Sequence, residues 1–111
     1  MEVFEAIRKR RSVRELVSVE IPMEDLEQIV DAGRCAASGM NTQPREFIII
    51  TDQGLIEQLA GAQGFIRDAS AAIAVVADDT ASTYWLEDVA ASVANMMLAI
   101  TDSVDLVIEL A

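Results

Sequence analysis

The chain has 111 residues, 52% of them apolar, with 19 acidic and 8 basic side chains, no histidine and a formal net charge of −11. That length fits one domain. The acidity excludes a general nucleic-acid or anionic-membrane binder, and the missing histidine excludes imidazole acid–base chemistry. A lone cysteine, Cys35, rules out an internal disulfide and fits a reducing, cytoplasmic setting. The start of the chain does not read as a secretory leader, and no apolar run reaches membrane length, so a soluble protein is expected. A domain this small buries a modest share of its surface, so part of the apolar content is expected to face a partner subunit.

Val3, Phe4 and Ile7 recur at helical spacing and predict a helix over residues 2–11, with basic residues at its C-terminal end. A loop follows through Val19. Pro22 suits the first turn of a second helix, with Glu24 and Asp25 near its N-terminus and Leu26, Ile29 and Val30 as its apolar stripe. The stretch SGMNTQP at 38–44 reads as a loop. FIIIT at 47–51 and AIAVVA at 72–77 read as strands, apolar enough to suggest a sheet covered on both faces. Between them Asp52 is placed to cap a short helix through Ala60, with Leu55, Ile56 and Leu59 inward. A single turn or irregular chain is expected over 61–70. Leu86, Val89, Ala90, Val93, Met96, Met97 and Ile100 predict a long helix from Trp85 to Thr101. The tail SVDLVIELA reads equally as strand or continued helix.

The charge is unevenly spread. Arg8, Lys9, Arg10, Arg11 and Arg14 are five of the eight cations, and none follows Arg67. Arginine forks match phosphate oxygens and a serine hydroxyl adds a short donor, so RKRRSVR is a candidate phosphate anchor. The same residues also read as solvated charges complementing a helix dipole, or as a basic nucleic-acid arm. In the 38–44 loop, Ser38, Asn41 and Gln43 donate and accept as a polar heterocycle edge requires, and Gly39 allows close backbone approach; an ordinary polar turn has the same composition. Cys35 reads as a small packed residue and Met96 and Met97 as core. Tyr84 and Trp85 read as packing at a helix start. Asp78, Asp79, Glu87 and Asp88 lack the spacing of a hard-cation site, and no metal is expected.

Taken together, FEAIRKRRSVR at 4–14, IPMEDLEQIVDAGRCAASGMNTQPREFIIITD at 21–52, AIAVVAD at 72–78 and EDVAASVANMMLAI at 87–100 resemble the nitroreductase family of FMN-dependent oxidoreductases. The resemblance implies a single α+β domain, 1–111, of three-layer α/β/α type with a mixed sheet, in an intertwined homodimer built largely on the long helix. It implies FMN binding by Arg10, Arg11, Ser12 and Arg14, with Arg10 and Ser12 near the phosphate. Ala37, Ser38, Gly39 and Asn41 would reach the flavin of the other subunit, with Gln43 close by. NAD(P)H would be the electron donor and a nitroaromatic, quinone or related small molecule the acceptor, in ping-pong order, with no side chain as acid or base. A non-catalytic flavin-binding or dimeric scaffold of the same fold is the alternative. Two residues depart from the family pattern: Ala37 stands for the usual proline, and Arg45 for the usual aromatic, where it is expected to alter the mouth of the site or its acceptor preference. The long helix also runs into SVDLVIELA without the Gly-rich turn, further strands and second basic contact of family chains, so the domain is expected to be shortened at its C-terminus.

Overall fold

Two helices, α2 (Met23–Arg34) and α4 (Trp85–Asp102), pack along each other and lie on one face of a strand pair, β1 (Arg45–Ile50) and β2 (Ala72–Ala77). A short α1 (Val3–Lys9) rests against α4, and α3 (Gln53–Ala60) links the strands together with a 3-10 turn at Gly64–Asp68. The structure is a computed structural model and describes residues 2–61 and 63–103. The tail from Val104 onward, left open between strand and helix, lies outside the described residues.

Local chemistry accounts for the element boundaries. Glu24 and Asp25 occupy the first turn of α2, where the helix dipole favours anions. Leu26, Ile29 and Gly33 share the buried face of that helix. Asp52 caps α3, its Oδ2 accepting from the Leu55 N–H at 3.2 Å, and Gly61, at φ +50°, ends that helix in a region that disfavours a Cβ.

The strands pair antiparallel, from Arg45 opposite Ala77 to Ile50 opposite Ala72. Their alternation sends Phe47, Ile73 and Val75 onto a core centred on Ile29 and Met96. Ile48 and Val76, on the other side, are exposed. The α+β class is as expected. The sequence suggested a sheet covered on both faces, whereas among the described residues helices α2 and α4 cover one face. A mixed sheet also needs a parallel pair, and the described residues contain only this antiparallel one.

The helices bury fewer apolar side chains than their spacing predicts. In α1 the small Ala6 is buried, while Val3, Phe4 (70% exposed) and Ile7 face outward. In α3 Ile56 is wholly buried, whereas Leu55 and Leu59 are exposed. In α4 the buried line is Asp88, Ser92 and Met96, so it begins polar and turns apolar; Leu86 is exposed. Periodicity marks an apolar face but does not say whether this chain or another covers it. No helix among the described residues is long and apolar enough to cross a membrane.

Candidate functional site

The basic segment begins in the last turn of α1. Lys9 pairs with Glu5 at 3.0 Å and, by that hydrogen bond and its charge, holds the Glu5 carboxyl below its usual range. Arg8 also lies in that turn, complementing the carbonyl end of the helix. Arg10 leaves the helix in an extended conformation, and the chain then runs without helix or strand to Pro22. Arg11, Ser12 and Arg14 are exposed and Arg10 is half-buried. Among the described residues none of these three arginines has an ion-pair partner. Arg14 places its guanidinium 5.3 Å from the centroid of the Phe65 ring. Farther along, the Val19 N–H donates to Ser70 Oγ at 2.8 Å and Ser18 Oγ donates to the Asp68 carbonyl at 3.0 Å. The segment is thus tied to the 65–70 turn while its cations stay available to an anion.

The polar loop is held in an uncommon shape. Met40, Asn41 and Gln43 all have φ between +50° and +57°, a region that non-glycine residues visit rarely. Within the loop the Gln43 N–H donates to Ser38 Oγ at 3.0 Å, Gln43 Nε2 donates to Asn41 Oδ1 at 2.9 Å, and Thr42 Oγ1 donates to the Gly39 carbonyl at 3.0 Å. Asn41 Nδ2, Gln43 Oε1 and the Ser38 hydroxyl hydrogen then remain for a ligand, a donor–acceptor set matched to a heterocycle edge. Gly39, expected to allow close backbone approach of a flat ligand, packs its bare Cα on Tyr84. A Cβ there would come within 2.6 Å of Tyr84 Cδ2 and 2.9 Å of Tyr84 Cβ. Tyr84, at the start of α4, has the packing role expected of it. Ala37 stands in the same connection, its carbonyl turned inward.

That inward turn leads to a cluster the sequence reading missed. Arg45 Nη1 donates to the Ala37 carbonyl (3.2 Å), the Asp88 carbonyl (3.0 Å) and Ser92 Oγ (2.8 Å), and its Nη2 donates to the Ala36 carbonyl (3.0 Å). The Gly39 N–H donates to Asp88 Oδ1 at 2.9 Å. Ser92 Oγ donates to the Gly33 carbonyl at 2.9 Å, and Asn95 Nδ2 to the Ala32 carbonyl at 3.1 Å. Ser92 and Asn95 thus add partners to two carbonyls in the last turn of α2, and Arg45 to those of Ala36 and Ala37 just beyond it. Asp88 is 4% exposed and Ser92 wholly buried. Arg45 was expected to alter the mouth of the site or its acceptor preference; in the structure it is a half-buried clasp beside the 38–43 loop. The signal was present in the sequence as three polar residues, Asp88, Ser92 and Asn95, at helical spacing within a mostly apolar helix.

The structure does not bring the two predicted clusters together. The 10–14 segment lies toward Phe65, the 38–43 loop toward Tyr84 and Asp88, and no hydrogen bond or ion pair joins them among the described residues. An apolar cavity of about 270 Å³, lined by Val17, Ile21, Met97 and Ile100 among others, contains none of the predicted ligand residues. Cys35, expected to pack, is exposed at the end of α2. Asp78 turns its carboxylate onto Thr80, and the described residues contain no group of three or more candidate metal ligands.

The model of the nitroreductase family matches residues 7–63. Two archaeal proteins that carry the provisional name NADH dehydrogenase/NAD(P)H nitroreductase are similar over most of the chain. The one from Methanothermobacter thermautotrophicus is 30% identical over 105 residues, which are 89% of this chain and 55% of the relative. The one from Archaeoglobus fulgidus is 36% identical over 105 residues, 88% of this chain and 60% of the relative. The chain therefore spans between half and two thirds of the length of these relatives. Among solved structures, a provisionally assigned nitroreductase from Desulfovibrio desulfuricans in complex with FMN superposes with a TM-score of 0.78 at 32% identity, covering 89% of this chain and 62% of that one.

Proposed function

The chain belongs to the nitroreductase family, and on that footing we propose that it supplies the two halves of an FMN site to a homodimeric oxidoreductase. NAD(P)H is the proposed electron donor, and a nitroaromatic, quinone or related small molecule the acceptor, used in ping-pong order. The observation that carries the reading is the separation of the two clusters. Phosphate-type donors lie on one part of the surface and a heterocycle-type polar edge on another, unconnected within one chain. Two copies that exchange these halves would complete two sites. The outward apolar side chains of α1 and α4, Phe4, Ile7 and Leu86, favour the same assembly, since a lone chain leaves them in water.

The chain's own residues fit such a cofactor. Arg10 and Ser12 are assigned to the phosphate, with Arg11 and Arg14 supplying further positive charge along the same segment. From the partner copy, Asn41 and Gln43 offer the unused donor and acceptor to the ring edge, and Ser38 its hydroxyl hydrogen. Ala37 and Gly39 set the backbone of that loop. FMN, when bound, supplies the two-electron chemistry between NAD(P)H and the acceptor. The residues are left to bind and orient it, work that needs no histidine.

The test is NAD(P)H oxidation by FMN-loaded protein with a quinone and a nitroaromatic. Oxidation that requires both flavin and acceptor is expected. Arg10→Ala should weaken FMN binding about 10- to 100-fold, because charge-assisted hydrogen bonds contribute roughly 1.5–3 kcal/mol each. Flavin retention with no NAD(P)H oxidation would favour the non-catalytic binding module instead, and unchanged affinity in Arg10→Ala would remove the phosphate role.

A further inference from the structure

We propose that Arg45 is a positioning residue: its guanidinium clamps residues 36–39 onto α4 and so holds the polar loop 38–43 in the shape that presents its side chains to a ligand. The identity of that ligand as FMN rests on the reading above; the clamp does not.

The geometry is specific to a planar fork of donors. One guanidinium reaches four oxygens in two separate parts of the chain: Ala36 and Ala37 before the loop, and Asp88 and Ser92 in the first two turns of α4. Lysine has three donors on a flexible stem and no planar fork. From the other side the Asp88 carboxylate takes the Gly39 N–H, so loop entry is gripped at consecutive points. Asp88 Oδ2 is buried with no hydrogen-bond partner, which leaves Gly39 as the contact that fixes this carboxylate.

The loop needs such a grip. Met40, Asn41 and Gln43 lie in the left-handed region within four positions, a state that persists only where the surroundings over-determine it. The bonds inside the loop tie it to itself. Those of Arg45 and Asp88 fix its entry to the body of the fold, while the Asp78 N–H, donating to the Pro44 carbonyl at 2.8 Å, holds its exit.

The test is site-resolved amide exchange on the unliganded protein, paired with FMN titration, for Arg45→Met and Arg45→Lys. The probes are the Gly39 and Gln43 amides, with the β1–β2 ladder as internal reference. Exchange at Gly39 and Gln43 should accelerate tenfold or more in Arg45→Met, with the ladder changed less than about threefold, and FMN affinity should fall by a similar factor. Arg45→Lys should be intermediate, and it decides the matter if Arg45→Met does not fold. Unchanged exchange at the two loop amides would overturn the proposal. So would equal acceleration of loop and ladder, which is the signature of a merely structural residue. A freed loop with unaltered FMN affinity would refute the ligand-presenting role. If the wild-type protein binds no FMN, the cofactor reading fails while the exchange data still decide the clamp.

Discussion

Ser92→Ala removes one oxygen from the best-buried polar position in the fold. Ser92 Oγ accepts from the Arg45 guanidinium at 2.8 Å and donates to the Gly33 carbonyl at 2.9 Å, and the residue is 0% exposed. A hydrogen bond to a charged group contributes roughly 1.5–3 kcal/mol and a neutral one roughly 0.5–1.5. Two effects lower the sum. The Gly33 carbonyl keeps the Ala36 N–H at 3.3 Å and Arg45 keeps its other acceptors, while alanine is favoured over serine in a helix by a few tenths of a kcal/mol. The net expectation is a destabilisation of about 2 kcal/mol, which for a domain of this size lowers Tm by roughly 10 °C. Urea unfolding followed by circular dichroism measures it, with an unchanged slope and a lower midpoint. A change below about 0.5 kcal/mol, the range of ordinary surface substitutions, would refute the view that this hydroxyl joins α2, α4 and β1.

Three further outcomes follow from the same packing. Gly39→Ala places a Cβ 2.6–3.0 Å from Cδ2, Cβ and Cγ of Tyr84, two of them at the stiff root of that side chain; a loss of about 1–3 kcal/mol is expected, and Tyr84→Gly in the same chain should recover part of it in a double-mutant cycle. Ile56→Ala empties the fully buried position of α3, and calorimetry should register a loss of about 2–5 kcal/mol, whereas Leu55→Ala on the exposed side should stay near zero. Asp78 accepts hydrogen bonds from the Thr80 hydroxyl and N–H, which lower its pKa. Its contribution to stability is therefore full above the unfolded aspartate value and is lost as pH falls through the lower native one. Unfolding curves taken from pH 5 to pH 2 should show a steeper acid loss for the wild type than for Asp78→Asn, and parallel curves would contradict the assignment.

Order and type of the elements were legible because local rules set them: Pro22 and the acidic turn after it, the Asp52 cap, two β-branched runs, and an apolar stripe at helical spacing in α4. What covers the apolar faces was not legible. Val3, Phe4 and Ile7 satisfy a helical period whether the matching surface belongs to this chain or to another, so their exposure had to be seen in the structure. The candidate site divides along the same line. Loop 38–43 was identified from residue types that donate, accept and turn, yet of its left-handed residues only asparagine is a type that favours that conformation, and methionine and glutamine are not. The inward bonding of Arg45 was hidden for a related reason. A charged side chain is ordinarily solvent-facing, and only the three-dimensional convergence of four oxygens makes an inward guanidinium favourable. The polar residues of α4 that receive it were visible, but periodicity counts apolar side chains and passed over them.

The central claim is that each chain brings one phosphate-binding half and one ring-binding half to a flavin site. The visible absorption spectrum of purified protein, taken after addition of FMN and desalting, tests it most directly. Retained flavin bands at close to one FMN per chain, lost when either Arg10→Ala or Asn41→Ala is introduced, are the predicted result. A folded protein that stays colourless after excess FMN would contradict it.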